Sequence, residues 1–146
     1  MIVDAHQHLW QIGRNGHEWP TPELPDIHRD FTVTDLDAVT AECGVDATVL
    51  VQSQPNDADT DWMLEVAATC PRIQAVVGWV DMLSPAAPER IADLAARPKL
   101  KGLRPMLQGL DDDWILQAAA RPALEAMLDH GLRFDALVYP RHLPAI

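Results

Sequence analysis

The densest run of chemically capable side chains lies at the start of the chain, Asp4-Ala5-His6-Gln7-His8. In an extended strand successive side chains point to opposite faces, so Asp4, His6 and His8 are expected to share one side. Paired imidazoles there converge on one point, where their neutral nitrogens can bind zinc, manganese or iron, or hold and polarise a substrate without a metal. An isolated His-x-His is more readily explained by packing and a loop hydrogen bond. What moves the reading toward chemistry is its place at the C-terminal end of a strand, the functional end of a parallel barrel.

Other residues could join such a site. Arg104 shares a strand face with Gly102, and a planar guanidinium at a strand end can grip a carbonyl or a carboxylate. Gln52 and Gln54 share a face and offer amide hydrogen bonds to hydroxyl groups. Trp79, with Trp10, offers flat apolar walls, although burial in a core accounts equally well for a tryptophan. His17, Trp19 and His28 lie in a loop that could form a lid, and Asp81 could orient a ligand or cap a turn. Asp57-x-Asp59-x-Asp61 opens like a calcium loop but has Trp62 where glycine is needed and Ala68 where glutamate is needed, so it is assigned to helix capping, as is Asp111-Asp112-Asp113. Neither Ser53 nor Ser84 stands in a Gly-x-Ser-x-Gly turn, which disfavours a serine esterase.

The elements that must position these groups follow from periodicity. Strands are expected at Ile2–His6, Ala47–Gln52, Ile73–Val80, Leu100–Met106 and Arg133–Val138. Between them lie helices opened by Thr34, by the Asp57–Asp61 acids and by Ser84-Pro85, and closed by Gly44, Pro71 and Gly131. A short inserted helix is expected over Asp111–Ala120 and a fourth barrel helix over Arg121–His130. Strands alternating with helices of this length imply a parallel α/β sheet. No Gly-x-Gly-x-x-Gly or phosphate-loop turn follows the first strand, so the (β/α)8 TIM barrel is favoured over an open nucleotide-binding sheet. A whole barrel needs about 250 residues, and this chain has 146. It is therefore read as the first five strands, residues 1–146 forming the N-terminal portion of a single barrel domain. The absence of a stop signal at Leu143-Pro144-Ala145-Ile146 suggests that more chain follows.

Eleven basic and 22 acidic residues leave a net charge of −11, which disfavours nucleic acid and anionic membrane surfaces as partners. Neither a signal peptide nor a spanning segment is evident, and a cytoplasmic location is expected. Cys43 and Cys70 stand apart, with no Cys-x-x-Cys, and are expected to be core thiols.

Asp4-Ala5-His6-Gln7-His8-Leu9-Trp10 resembles the opening signature of the amidohydrolase superfamily. Arg29-Asp30-Phe31, Val49–Gln52, Val77-Gly78-Trp79-Val80-Asp81 and Lys101-Gly102-Leu103-Arg104 extend that resemblance to its sugar-lactonase branch, with rhamnono-lactonase, fucono-lactonase and 2-pyrone-4,6-dicarboxylate hydrolase relatives. The resemblance implies a hydrolase that opens a sugar-acid lactone with activated water, with His6 and His8 catalytic or metal-binding and Arg104, Gln52, Gln54 and Trp79 on the substrate. It implies too that a further histidine and an aspartate general base lie beyond residue 146. A divalent metal (zinc, manganese or iron) is implied by part of the branch, and metal-independent action stays open. The partners implied are a small lactone or carboxylic acid and, through exposed strand edges, a second copy of the chain. Two rival readings are a metal-dependent decarboxylase of the same superfamily and a noncatalytic, self-associating half-barrel.

Overall fold

The computed structural model describes residues 1–146. Five strands, β1 (Val3–Gln7), β2 (Ala47–Val51), β3 (Ile73–Gly78), β4 (Leu100–Leu103) and β5 (Arg133–Phe134), form one sheet in chain order, every neighbouring pair parallel. Helices α1 (Val33–Cys43), α2 (Asp57–Thr69), α3 (Ala87–Ala95) and α4 (Arg121–Asp129) supply the crossovers. Sequential parallel strands each followed by a helix make half of a TIM barrel, as the sequence implies.

Burial explains the strand pattern. In β2 only Val49 is less than fully buried, as expected for a strand covered on both faces. Leu50, Ile73, Val76 and Leu103 from the sheet pack with Met63, Ala67, Ile91 and Leu94 from the helices in one apolar cluster. Each fully buried aliphatic side chain there contributes about 1.5–3 kcal/mol relative to exposure.

Several boundaries differ from those expected. Helix α1 is capped by Thr32 rather than Thr34, because the Asp35 carboxylate accepts from both the amide (2.8 Å) and the hydroxyl (2.9 Å) of Thr32. Asn56, not the aspartates after it, caps α2 by accepting the Asp59 amide at 2.9 Å. Asp57 and Asp61 instead pair with Arg90 of α3. Helix α3 begins two residues after Pro85. The Ser84 hydroxyl accepts the Ala86 amide and forms a turn ahead of the helix, and Pro88 occupies the first helical turn. Leu107–Gly109 and Trp114–Leu116 are single 3-10 turns in place of the inserted helix.

The fifth strand is regular for only two residues. Beyond it the Asp135 amide still donates to the Leu103 carbonyl, and a lone bridge joins Leu137 to Met106. With β4 on one side and no neighbour on the other, little holds its pleat. Cys43 is exposed, so only Cys70 is a core thiol. Gly44 does close α1 in the left-handed conformation, at φ 66°.

Candidate active site at the C-terminal rim of the sheet

Parallel strands bring their C-terminal ends to one rim. There the chain presents His6 from β1, His8 just after it, Gln52 after β2, Trp79 after β3, Arg104 after β4 and Asp135 after β5. A bulge between Asp4 and Gln7 interrupts the β1 ladder, yet the two imidazoles still meet. Their Nε2 atoms are 3.1 Å apart, with ring planes inclined by 75°.

The tautomer of His8 follows from its surroundings. Its Nδ1 lies 2.9 Å from the Val51 carbonyl, which can only accept, so Nδ1 carries the hydrogen and Nε2 keeps its lone pair. His8 is held near pKa 4, below the usual 6.5, mainly by burial and further by the Arg104 charge and His6; the Val51 bond and the Asp135 charge oppose this. It is therefore a neutral base at physiological pH.

Arg104 is 5% exposed despite its charge. Its Nη2 donates to the Gln52 carbonyl, its Nη1 lies 3.2 Å from His6 Nε2, and its Nε is buried with no partner. Burial lowers its pKa from the usual guanidinium value, and Asp135 opposes that shift. Asp135 thus faces both His8 and Arg104 electrostatically. Sequence reasoning missed it because the expected fifth strand ran on to Val138, whereas the strand ends at Phe134 and leaves Asp135 one step past it, the same offset that Arg104 has past β4.

Two of the expected substrate contacts have other work. The buried Gln52 amide donates to the Arg104 carbonyl at 3.0 Å, so Gln52 and Arg104 brace each other while Gln52 Oε1 stays unpartnered. Gln54 has both amide atoms engaged by the β1–α1 loop, accepting from the Glu18 amide and donating to the Trp19 carbonyl. Its side chain is 1% exposed. Trp79 opens onto a neighbouring hollow with Pro55, Asp81, Pro105 and Trp114, not onto the imidazole pair. His142 is buried, within 3.2 Å of the Tyr139 and Leu110 carbonyls, and His130 is exposed; neither approaches the rim pair.

A cavity of about 310 Å³ opens at the rim, lined by His8, Trp19, Ser53, Arg104, Met106, Gln108 and Leu137. A larger hollow of about 430 Å³ runs between β1 and α1. It borders His8 too, but its Arg29 and Asp35 are bonded to each other and its remaining lining is mainly apolar. The smaller cavity is where the polar groups converge.

The imidazole pair fits half of a metal ligand set. With metal–nitrogen bonds of about 2.0–2.1 Å, two ligands lie about 2.9 Å apart at a right angle and about 3.3 Å apart in a tetrahedron. The separation of 3.1 Å falls between these. Two lone pairs aimed at one point need a proton or a cation between them. Arg104 beside His6 weighs against a second positive charge unless an anion accompanies it. No group of three or more His, Cys, Asp or Glu side chains converges anywhere in the chain.

A parallel half-barrel with a His-x-His pair at its C-terminal rim belongs to the class of barrel proteins that carry their functional groups at the strand ends. The amidohydrolase family profile matches residues 3–146, and the chain belongs to that family. An L-fucono-1,5-lactonase of Burkholderia ambifaria is 52% identical over 145 residues, covering 99% of this chain and 50% of that protein. A crystal structure of an amidohydrolase from Burkholderia multivorans with bound zinc superposes with a TM-score of 0.89 at 28% identity, over 99% of this chain and 51% of that one. A probable 2-pyrone-4,6-dicarboxylic acid hydrolase from Acinetobacter baumannii, with citric acid bound, shares the fold with a TM-score of 0.76 at 17% identity, over 97% and 51%. The chain spans about half the length of the relatives it matches. No helix is long and apolar enough to cross a membrane.

Proposed function

We propose that the intact protein hydrolyses the lactone of a sugar acid, with its reaction centre at His6, His8 and Arg104. The observation that carries the reading is the convergence of the two imidazoles of His6 and His8 and a buried guanidinium at one point of the rim, in a chain 52% identical to an L-fucono-1,5-lactonase. Water attacks the lactone carbonyl carbon, the tetrahedral intermediate collapses with loss of the ring oxygen, and that oxygen takes a proton to become a hydroxyl. The new carboxylic acid then releases a proton to solvent.

The chain's own groups divide the work. Arg104, braced by Gln52, directs N–H donors toward oxygen charge that grows at the carbonyl, where a buried, preorganised charge is most effective. His8, locked by Val51 with Nε2 facing inward, and His6 beside it would hold a divalent metal such as zinc, manganese or iron. That metal would polarise the carbonyl and bring bound water toward a pKa of about 7. Without a metal the same lone pairs can accept a hydrogen bond from the attacking water. The proton acceptor is assigned to an aspartate from the part of the barrel this chain does not span. A small uncharged or anionic sugar derivative is the substrate class, and a cytoplasmic setting belongs to the same reading.

The test is proton release from a panel of 1,4- and 1,5-lactones of aldonic acids. One proton released for each ring opened is the expected result. No release from any member, or evolution of carbon dioxide from an unsaturated acid instead, would overturn the assignment.

A further inference from the structure

The β1–α1 connection is long, and long loops ordinarily contribute little fixed geometry. One residue of this loop is nevertheless placed with care. Trp19 stands with its ring 6.5 Å from that of His8 and 5.3 Å from that of Trp10, both edge-on, and lines the rim cavity that holds Arg104. It is 40% exposed, so burial in a core does not account for it.

What holds it there is Gln54. This side chain is 1% exposed and brackets Trp19 by its backbone: Oε1 accepts the Glu18 amide at 3.0 Å and Nε2 donates to the Trp19 carbonyl at 2.8 Å. Asn56 adds a second tie, donating to the Asn15 carbonyl at 2.7 Å. Gln54 itself is fixed because its amide N–H donates to the buried Asp59 carboxylate at the start of α2. A chain of contacts thus runs from α2 through Asp59 and Gln54 to Trp19, and ends at the cavity.

We infer that Trp19 is a specificity-determining wall of the substrate cavity, and that Gln54 is the positioning residue that sets it. The inference rests on the lactonase reading for the identity of its ligand. A six-membered sugar lactone has a polar edge of hydroxyls and a face of C–H bonds. Arg104 and the imidazoles meet the polar edge, and an indole offers the C–H face a flat apolar surface at little entropic cost. Lactones that lack a continuous C–H face should gain least from it.

The experiment is steady-state kinetics on the intact protein with Trp19→Phe, Trp19→Ala, Gln54→Ala and the Trp19→Ala/Gln54→Ala pair, alongside fluorescence titration with aldono-1,5-lactams, which keep the six-membered ring and carry a more resistant amide in place of the ester. Trp19→Ala is expected to raise KM about tenfold with kcat within threefold, and Trp19→Phe to restore most of it. Gln54→Ala should raise KM similarly, and should add little once Trp19 is alanine; a purely structural glutamine would act the same in either background. Lactam binding should change the indole emission of the wild type, and Trp19→Phe should abolish that change. If lactones are not turned over but the lactam signal depends on Trp19, the lactonase reading fails while this inference stands. Unchanged KM in Trp19→Ala, independent effects in the paired variant, or a lactam signal that is absent or survives Trp19→Phe would overturn it.

Discussion

At the scale of single residues the site is governed by what fixes each polar atom. The Val51 carbonyl sets the His8 tautomer, and burial with the neighbouring guanidinium keeps that ring neutral to about pH 4. The folded-state pKa lies below the unfolded value of 6.5, so between the two the unfolded chain binds a proton that the folded chain does not. Stability from this group is complete above 6.5 and declines as pH falls toward 4. Urea unfolding of wild type and His8→Gln at pH 7.5 and 4.5 should show the wild type losing roughly 1 kcal/mol more than the variant, a figure reduced because the ring is only part buried. Equal losses would show that His8 does not titrate this way. His6, His8 and Arg104 were legible because strand alternation and strand-end position are local properties. The ties of Gln54 were not legible because its partners, Glu18 and Trp19, lie 36 and 35 residues earlier in a loop whose path no periodicity reveals.

At the scale of elements, the order of strands and helices was readable, while their edges depended on competing caps. Thr32 and Thr34 each precede an aspartate by three residues, so the sequence offers two registers for the start of α1. The choice is made by Arg29, whose guanidinium binds Asp35 at 2.8 Å, and by the Trp10–Phe31 bridge that delivers the chain to Thr32. The β4–β5 pairing has its own requirement. A Cβ on Gly102 would lie 2.6 Å from the Arg133 carbonyl oxygen, a backbone atom that cannot swing aside. Gly102→Ala should therefore destabilise the protein by about 1–3 kcal/mol and displace the strand that carries Arg104. Gly109, where an added methyl meets nothing within 4 Å, is the control, and its alanine variant should stay within about 0.5 kcal/mol of wild type. Denaturant midpoints of the two variants make the comparison.

At the scale of the molecule, the five strands run in chain order without closing, and β1 and β5 each have one neighbour. Their outer edges keep unpaired backbone donors and acceptors, and β1 leaves Val3 exposed. Such edges pair with whatever strand reaches them. Residues 1–146 expressed alone should self-associate, with light scattering on a sizing column giving masses of at least twice 16.2 kDa. A sharp monomer peak at about 100 µM would count against this. The barrel class was legible from the alternation of strand and helix, whereas β5 was overestimated because its apolar sequence, Arg133–Val138, does not reveal that it has one neighbour.

The two imidazoles at the end of β1 are proposed as the reaction centre, and kcat of the intact His6→Ala/His8→Ala protein on a six-membered sugar lactone measures their contribution. At least about a hundredfold loss is predicted, with the far-ultraviolet circular dichroism of the wild type retained. Turnover at the wild-type rate would contradict it.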